Sequence, residues 1–560
     1  MPDRLIECVP NFSEGRDPAV IEAIAQAIRG VDGVKLLGVD PGRATNRTVY
    51  TFVGTPEAVV EAAFRAAKTG QGLIDMSRHQ GEHPRMGFLD VCPLIPIAGV
   101  TMEETAEWAR TLGKRLADEL GLTVYLYENA AATPERRNLA DIRAGEYEGL
   151  PKKLKDPAWK PDFGPAQFNE RSGATVVGAR DFLIAYNINL NTTSTRRANA
   201  IAFDVRERGR VKRIGDPLTG EVEKDAEGNP VYEPGTLKSV KAIGWFIEEY
   251  GIAQISMNLT NILETPVHLA FDEVCEKANE RGIRVTGSEL VGLIPLNSML
   301  EAGRYFLRKQ KRSTGVSDAE LIKIAVRSLG LNELGPFDPN ERIIEYAIRD
   351  NRRQLVDLSL KDFVEVSASE SPAPGGGSVS AAMGALGAAL GTMVANLSSH
   401  KRGWDERWEE FSDWAERGKA AWTELTQLVD EDTEAFNSLM GAFGFPKATE
   451  AEQAARSKAI QAATRRAIEV PLRVMKVSLE AMEVLKAMAE IGNPNSVSDA
   501  GVGALAARSA VIGAYLNVRI NASGLSDKAF VEEALAEAGA WAESAKELES
   551  EILQIVYGRM

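Results

Sequence analysis

The chain has 560 residues, 44% of them apolar and 26% charged, a globular composition that excludes whole-chain disorder or a collagen-like repeat. At roughly 100–200 residues per domain, three or four domain-sized units are expected. The 80 acidic and 65 basic side chains give a net charge of −15. No nucleic-acid partner is therefore expected, although one cleft can still focus positive charge on an anionic substrate.

From the N-terminus, apolar strand-like runs alternate with amphipathic helical runs. LIECVPN (5–11) predicts a strand and DPAVIEAIAQAIRG (17–30) a helix. Residues 34–40 and 47–54 predict strands, 55–70 a helix, 90–99 a strand and 102–121 a helix. Neighbouring strands often stand too close in sequence for helical crossovers, so a mixed or antiparallel sheet with helices on one face follows. A polar, Pro-rich stretch (150–165) precedes one long strand, GATVVGARDFLIAYNINLN (173–191), and a helix at 195–209. Residues 209–235, rich in charge, Gly and Pro, predict a hairpin or loop insertion. Strands at 238–247 and 252–260, a helix at 267–282 and a strand at 284–295 repeat the style of the first part.

From about Ser317 the character changes. Residues 317–331 predict a helix, and 335–349 a connector that ends in one. Beyond Leu355 strand signal nearly vanishes, and helices at 406–439, 449–491, 500–520 and 529–556 predict a bundle. Residues 371–399 carry no Asp, Glu, Lys or Arg. Their Ala, Gly and Ser content, interrupted by Gly384, Gly387 and Gly391, predicts a closely packed buried helix rather than a membrane span. The expected fold class is α+β: two α/β-sandwich subdomains with mixed or antiparallel sheets (1–181 and 182–334), a linker (335–350) and an all-α helical bundle (351–560).

Three widely spaced cysteines, Cys8, Cys92 and Cys275, make no disulfide framework and fit a reducing cytoplasm. The charged N-terminal segment has no apolar signal-peptide core. Of the four histidines, His268 and His400 read as structural. His79 and His83 share the loop SRHQGEHPRMGFLD, where Pro84 turns the backbone at His83 away from helix. That placement suits proton transfer. An ordinary surface loop, or a metal site with Cys92, are the alternatives.

In SPAPGGGSVSAAMGALGAALG, the glycines Gly375, Gly376 and Gly377 let the backbone approach another group, and Ser378 is the expected helix N-cap. The segment predicts an anion-binding helix start, or simply a glycine-capped helix. In TELTQLVDEDTEAFNSLM, helical spacing puts Asp432 on the face of Leu425, Leu428, Val429, Phe436 and Leu439, and Asp430 on the other side. A carboxyl in that seam has a raised pKa and suits a general acid, or else pairs with a neighbouring helix. Asn517, Arg519 and Asn521 bring polar groups to a further apolar helix, where they line a cleft or pair across an interface.

Several of these stretches resemble a known family. CVPNFSEGRD, GEHPRMGFLDVCPLIP, GATVVGARDFLIAYNINL, GTLKSVKAIGWF, GSELVGLIP and GPFDPNERIIEY are similar to glutamate formiminotransferases. SPAPGGGSVSAA, LVDEDTEAF and IGAYLNVRINASGL are similar to formiminotetrahydrofolate cyclodeaminases. In this order they resemble the bifunctional formiminotransferase-cyclodeaminases of histidine degradation. The helical part also resembles methenyltetrahydrofolate cyclohydrolases.

The resemblance implies formimino transfer from N-formimino-L-glutamate to nitrogen-5 of tetrahydrofolate. Ring closure by nitrogen-10 then gives 5,10-methenyltetrahydrofolate and ammonia. It implies tetrahydrofolate, polyglutamylated or not, as co-substrate, no metal, a cytoplasmic place, no membrane, and a homo-oligomer built from dimers up to an octamer. The family's catalytic histidine falls on His83, and its cyclodeaminase aspartate falls in LVDEDTEAF, where the apolar-face argument selects Asp432. Its folate-binding stretch falls on Gly164, Pro165, Ala166, Gln167, Phe168, Asn169, Glu170, Arg171, Ser172 and Gly173. Because both substrates carry carboxylates, Arg47, Arg85 and Arg180 are candidate clamps by bidentate pairing, and Gly375–Ser378 is a candidate folate contact. Alternatives are a C-terminal cyclohydrolase or inactive domain, a transferase that uses 5-formyltetrahydrofolate, and a non-catalytic folate-binding scaffold.

Overall fold

A computed structural model of the chain describes residues 4–43, 45–81, 84–215, 220–348 and 354–560. It divides into two compact units, residues 1–302 with 326–350, and 303–325 with 351–560.

The first unit starts with β1 (Leu5–Cys8) and β2 (Asn11–Phe12), which lie in one line between β4 (Arg47–Gly54) and β5 (Leu89–Ala98). Pro10, which lacks an N–H, falls at the break between them. β3 (Val34–Gly42) pairs with β4 antiparallel; β6 (Thr123–Glu128) and β7 (Ala174–Ala179) extend the sheet beyond β5 in parallel. The result is a mixed seven-stranded sheet.

Helices α1 (Pro18–Arg29), α2 (Pro56–Leu73) and α3 (Met102–Leu120) cover one face. Each starts on a cap its sequence supplies: Asp17, Thr55, and a Thr101–Glu104 capping box. Ile24, Ile28, Val59, Phe64, Leu112 and Leu116 meet Ile6, Cys8, Phe12, Tyr50 and Phe52 in the core. Truncating the fully buried Phe52 to alanine should cost about 3–5 kcal/mol. Strand alternation turns Glu7, Asn11 and Arg47 to the opposite face, away from these helices.

Residues 173–191 form two strands rather than the one long strand expected. β7 belongs to the first sheet and β8 (Ile184–Leu190) to a second. The break carries no Gly or Pro, and the apolar run resumes at Phe182 directly after Arg180 and Asp181, so only that charged pair marks it. The second sheet is antiparallel, in the order β13 (Val240–Ile247), β14 (Ile252–Leu259), β8, β15 (Val285–Val291). Helices α6 (Thr195–Val205) and α7 (Val267–Asn279) pack on it. The described residues of 209–235 include two small antiparallel pairs, β9 (Arg210–Val211) with β12 (Tyr232–Glu233) and β10 (Arg213–Ile214) with β11 (Glu221–Val222). The short helices α4 (Leu139–Arg143), α5 (Glu146–Lys153), α10 (Pro339–Arg342) and α11 (Ile344–Ala347) complete this unit, and α8 (Leu296–Lys309) and α9 (Asp318–Leu329) lie between α7 and α10 in the chain.

The second unit is a helical bundle. After α12 (Leu360–Ser367) come α13 (Gly376–Ser399), α14 (Trp408–Phe443), α15 (Glu450–Ile491), α16 (Val497–Ala522) and α17 (Lys528–Arg559). α13 packs against α14, α15 and α16. A Cβ on Gly387 would stand 2.8 Å from the Gly503 carbonyl, so glycine allows α13 and α16 to approach backbone to backbone. α13 and the stretch Pro494–Ala522 are long and apolar enough to cross a membrane by composition alone, yet 56% and 44% of their most apolar windows are buried inside the bundle.

Candidate active sites

In the first unit, a cleft of about 920 Å³ opens between the second sheet and the face of the seven-stranded sheet opposite α1, α2 and α3. Its walls carry Glu7, Asn11, Lys35, Arg47, Arg143 and Arg180. Glu7 is 4% exposed and makes no side-chain hydrogen bond among the described residues. Burial pushes its carboxyl up to about 7, against the opposing pull of Arg180.

At the other end of the same face, Asp90 is fully buried and holds three groups. Its Oδ1 accepts the Met86 N–H at 2.9 Å, and its Oδ2 accepts both Arg47 Nη1, at 2.6 Å, and Arg143 Nη2. Burial works against the Asp90 charge, but Arg143 and Arg47 outweigh it and hold the carboxyl below the usual range. Arg47 also donates to Asn11 Oδ1 at 2.9 Å.

The histidine loop attaches here. His79 donates from Nε2 to the Asn46 carbonyl at 2.8 Å and accepts at Nδ1 from Arg85 Nε at 3.2 Å. Its imidazole is thus the neutral Nε2–H form, and burial lowers its pKa further. Asn46 returns a hydrogen bond to the Gln80 carbonyl at 3.0 Å, and a Cβ on Gly81 would stand 2.1 Å from the Thr45 carbonyl, so the loop is clamped on the 45–46 turn. Arg85 makes a fork-to-fork pair with Glu148 at 2.9 and 2.7 Å beside a smaller pocket of about 450 Å³.

In the bundle, Asp432 of α14 faces the first turn of α13. Its Oδ2 accepts from Ser378 Oγ at 3.2 Å, and Ser378 Oγ lies 3.0 Å from Thr433 Oγ1. Burial raises the Asp432 pKa, and the Ser378 hydroxyl and backbone N–H partly oppose this. The carboxyl is therefore a proton holder at one end of an apolar seam. Asp430 does different work. It accepts the backbone N–H groups of Leu355 and Val356, at 2.7 and 3.3 Å, and caps a short turn. Ser378 is not the N-cap expected from sequence. Gly375 takes that position, which frees the serine hydroxyl, at the third helical residue, for Asp432.

Three family models match consecutive parts of the chain: formiminotransferase domain, N-terminal subdomain, over 5–180; formiminotransferase domain over 185–349; and formiminotransferase-cyclodeaminase over 359–540. The chain is 46% identical to the mouse (Mus musculus) formimidoyltransferase-cyclodeaminase, across 95% of this chain and 94% of that one. It is 43% identical to the protein of that name from Dictyostelium discoideum, across 100% and 99%. The chain belongs to the formiminotransferase-cyclodeaminase family. A methenyltetrahydrofolate cyclohydrolase of Methylorubrum extorquens is also similar, 42% identical across 32% of this chain and 86% of its own.

On the formiminotransferase side, His83 lies outside the described residues. The stretch 164–173 is mostly exposed and packs on the histidine-loop side: Met76 N–H donates to the Arg171 carbonyl at 3.0 Å, and Phe168 stands 5.4 Å from the Tyr147 ring. It does not line the large cleft among the described residues, whereas Arg47 and Arg180 do. Arg85 meets the carboxylate of Glu148 instead. Of the His79–His83 metal site considered from sequence with Cys92 as third ligand, Cys92 sits in the apolar core, 3.6 Å from Cys8, His79 has both ring nitrogens engaged, and His83 lies outside the described residues. His268 is buried on α7, and His400 ends α13.

On the cyclodeaminase side, Asn517 and Asn521 bond the backbone carbonyls of Gly513 and Ala467, at 2.9 and 2.8 Å, and Arg519 is exposed. Sequence reasoning missed Glu7, Asp90 and Arg143. Glu7 carried the faint signal of a lone charge in an apolar strand; Arg143, in a polar stretch, carried none.

Proposed function

We propose that the chain catalyses two consecutive reactions on tetrahydrofolate. The first unit transfers the formimino group of N-formimino-L-glutamate to nitrogen-5. The second closes the ring with nitrogen-10 and releases ammonia, a lyase step that leaves 5,10-methenyltetrahydrofolate. The observation that carries this reading is the likeness to formimidoyltransferase-cyclodeaminases along 95% of the chain, which spans both units.

In the transfer, nitrogen-5 must lose a proton as it attacks, and the departing glutamate amine must gain one. A single histidine, His83, shuttles both. In the second step the leaving nitrogen must be protonated. Asp432 suits that work because burial keeps its proton on at higher pH than an exposed aspartate would. As written, each step moves only protons and the formimino group, so neither calls for a metal or a redox centre.

The same reading makes the protein a cytoplasmic homo-oligomer, dimer-based and up to octameric, that accepts polyglutamylated folate. Support for assembly comes from exposed apolar residues on adjacent helices, Leu386, Met393 and Leu397 on α13 and Val502, Leu516 and Ile520 on α16.

Two variants test the assignment. His83→Ala should abolish glutamate release from formiminoglutamate while supplied 5-formiminotetrahydrofolate still yields ammonia. Asp432→Asn should do the reverse. The likeness of the bundle to a methenyltetrahydrofolate cyclohydrolase supports a second reading, in which methenyl hydrolysis replaces ammonia release. Hydrolysis without ammonia would select it.

A further inference from the structure

We infer that Glu7 recognises the pterin ring of tetrahydrofolate by accepting the N3–H and the 2-amino group at its edge; this rests on the transfer reading above. The first observation is a buried acid with nothing to hold. Glu7 is 4% exposed, yet its carboxyl makes no hydrogen bond or ion pair among the described residues. It sits inside β1, opposite Val53 of β4 on one side and Ile95 of β5 on the other, so the strands fix its side chain on the cleft face. A carboxyl buried without partners is costly, the more so when ionised. Arg180 favours the charged form from beyond ion-pair distance, and Glu345 opposes it. What the place lacks is N–H donors. A ligand that brings two of them in one plane meets both carboxylate oxygens. The other acids of the cleft wall, Asp40 and Glu341, are exposed and call for no such ligand.

Two groups in the substrates carry such donors about one carbon. One is the formimino group of the donor, with a nitrogen on each side of the carbon that moves. The other is the pyrimidine half of the pterin, where N3–H and the 2-amino group share carbon-2. The second observation, the surrounding wall, decides between them. Val9 and Pro93 line the cleft on the Glu7 side, and Tyr127, Phe182 and Leu183 line it with them. A flat bicyclic ring covers these apolar surfaces, whereas a small dicarboxylic amino acid would leave them bare. The cleft volume of about 920 Å³ also matches a folate-sized ligand rather than one amino acid. The recognised edge belongs to the ring that does not carry nitrogen-5. Glu7 therefore acts on binding, and its loss should show in KM for tetrahydrofolate rather than in kcat.

The test is steady-state kinetics of the full chain and of Glu7→Gln, with tetrahydrofolate and with an analogue whose 2-amino group is replaced by methyl. Glutamine keeps the shape but offers one acceptor in place of two. Glu7→Gln should raise KM for tetrahydrofolate by about tenfold or more, the effect of one lost charge-assisted hydrogen bond. KM for formiminoglutamate should stay unchanged. The wild type should itself bind the methyl analogue at least about tenfold more weakly, since a buried acceptor left unpaired rejects a ligand that lacks the donor. Glu7→Gln should then lose little more with that analogue, because the contact is already gone. Equal losses with both folates, no change in KM for tetrahydrofolate, or a rise in KM for formiminoglutamate alone overturns the assignment; the last would give the carboxylate to the formimino group. If the glutamine variant does not fold, the two folates on the wild type decide: equal affinities refute the contact. Were the wild type to release no glutamate from formiminoglutamate, the transfer reading would fall. Calorimetry with folate would still decide the contact: binding weakened about tenfold in Glu7→Gln supports it, and binding unchanged or absent from the wild type refutes it.

Discussion

The carboxylate of Asp432 occupies the space where a side chain on Gly377 would begin. A Cβ built on Gly377 would stand 2.1 Å from Oδ1 and 2.5 Å from Oδ2. Glycine is thus required by the close approach of α13 to the aspartate, and Ser378, one residue on, supplies the donors that orient it.

Gly377→Ala should displace the carboxylate and cut ammonia release by roughly a hundredfold, the scale of an ångström-sized misplacement in an active site. Glutamate release by the first unit should not change. By contrast, Asp430→Asn should weaken only a cap and cost about 1 kcal/mol in denaturant unfolding, with ammonia release retained. Loss of ammonia release in Asp430→Asn but not in Asp432→Asn would make Asp430, not Asp432, the acid.

If protonated Asp432 is the acid, ammonia release falls as pH rises through its pKa. Ser378 lowers that pKa by donating to the charged form. Ser378→Ala should therefore move the alkaline limb of the pH–rate profile of the second step to higher pH. A shift to lower pH would contradict the arrangement.

Glu7 links the cleft to stability. Its folded carboxyl is raised from 4.5 to about 7, so the folded state binds more protons than the unfolded chain between those values. Stability contributed by that proton is complete below about pH 4.5 and is lost as pH rises to 7, by up to about 3 kcal/mol. Glu7→Gln should remove this slope and raise Tm relative to the wild type at pH 8. An equal slope in both proteins would show that the carboxyl is not buried as described.

Much of this was legible in the sequence because periodicity reports burial directly. The 3.6-residue spacing placed Asp432 on the inner face of its helix, and strand alternation located the first sheet. What escaped were relations between distant residues. The Ser378–Asp432 contact spans 54 residues, and the Asp90–Arg143 pair spans 53, with no local pattern to announce either. The split of 173–191 escaped because Phe182 and Leu183 keep the segment apolar where the chain changes sheets. Glu7 alternates correctly for a solvent-facing residue. Only the second sheet, formed more than 170 residues later, turns that face into a cleft wall.

The most direct measurement is a one-pot assay of the full chain with tetrahydrofolate and formiminoglutamate, following glutamate, methenyl absorbance and free ammonia together. Equal amounts of all three should appear, since each donor molecule passes through both units. Glutamate without ammonia would contradict the account, because the first unit would then be a transferase and the bundle would not be a deaminase.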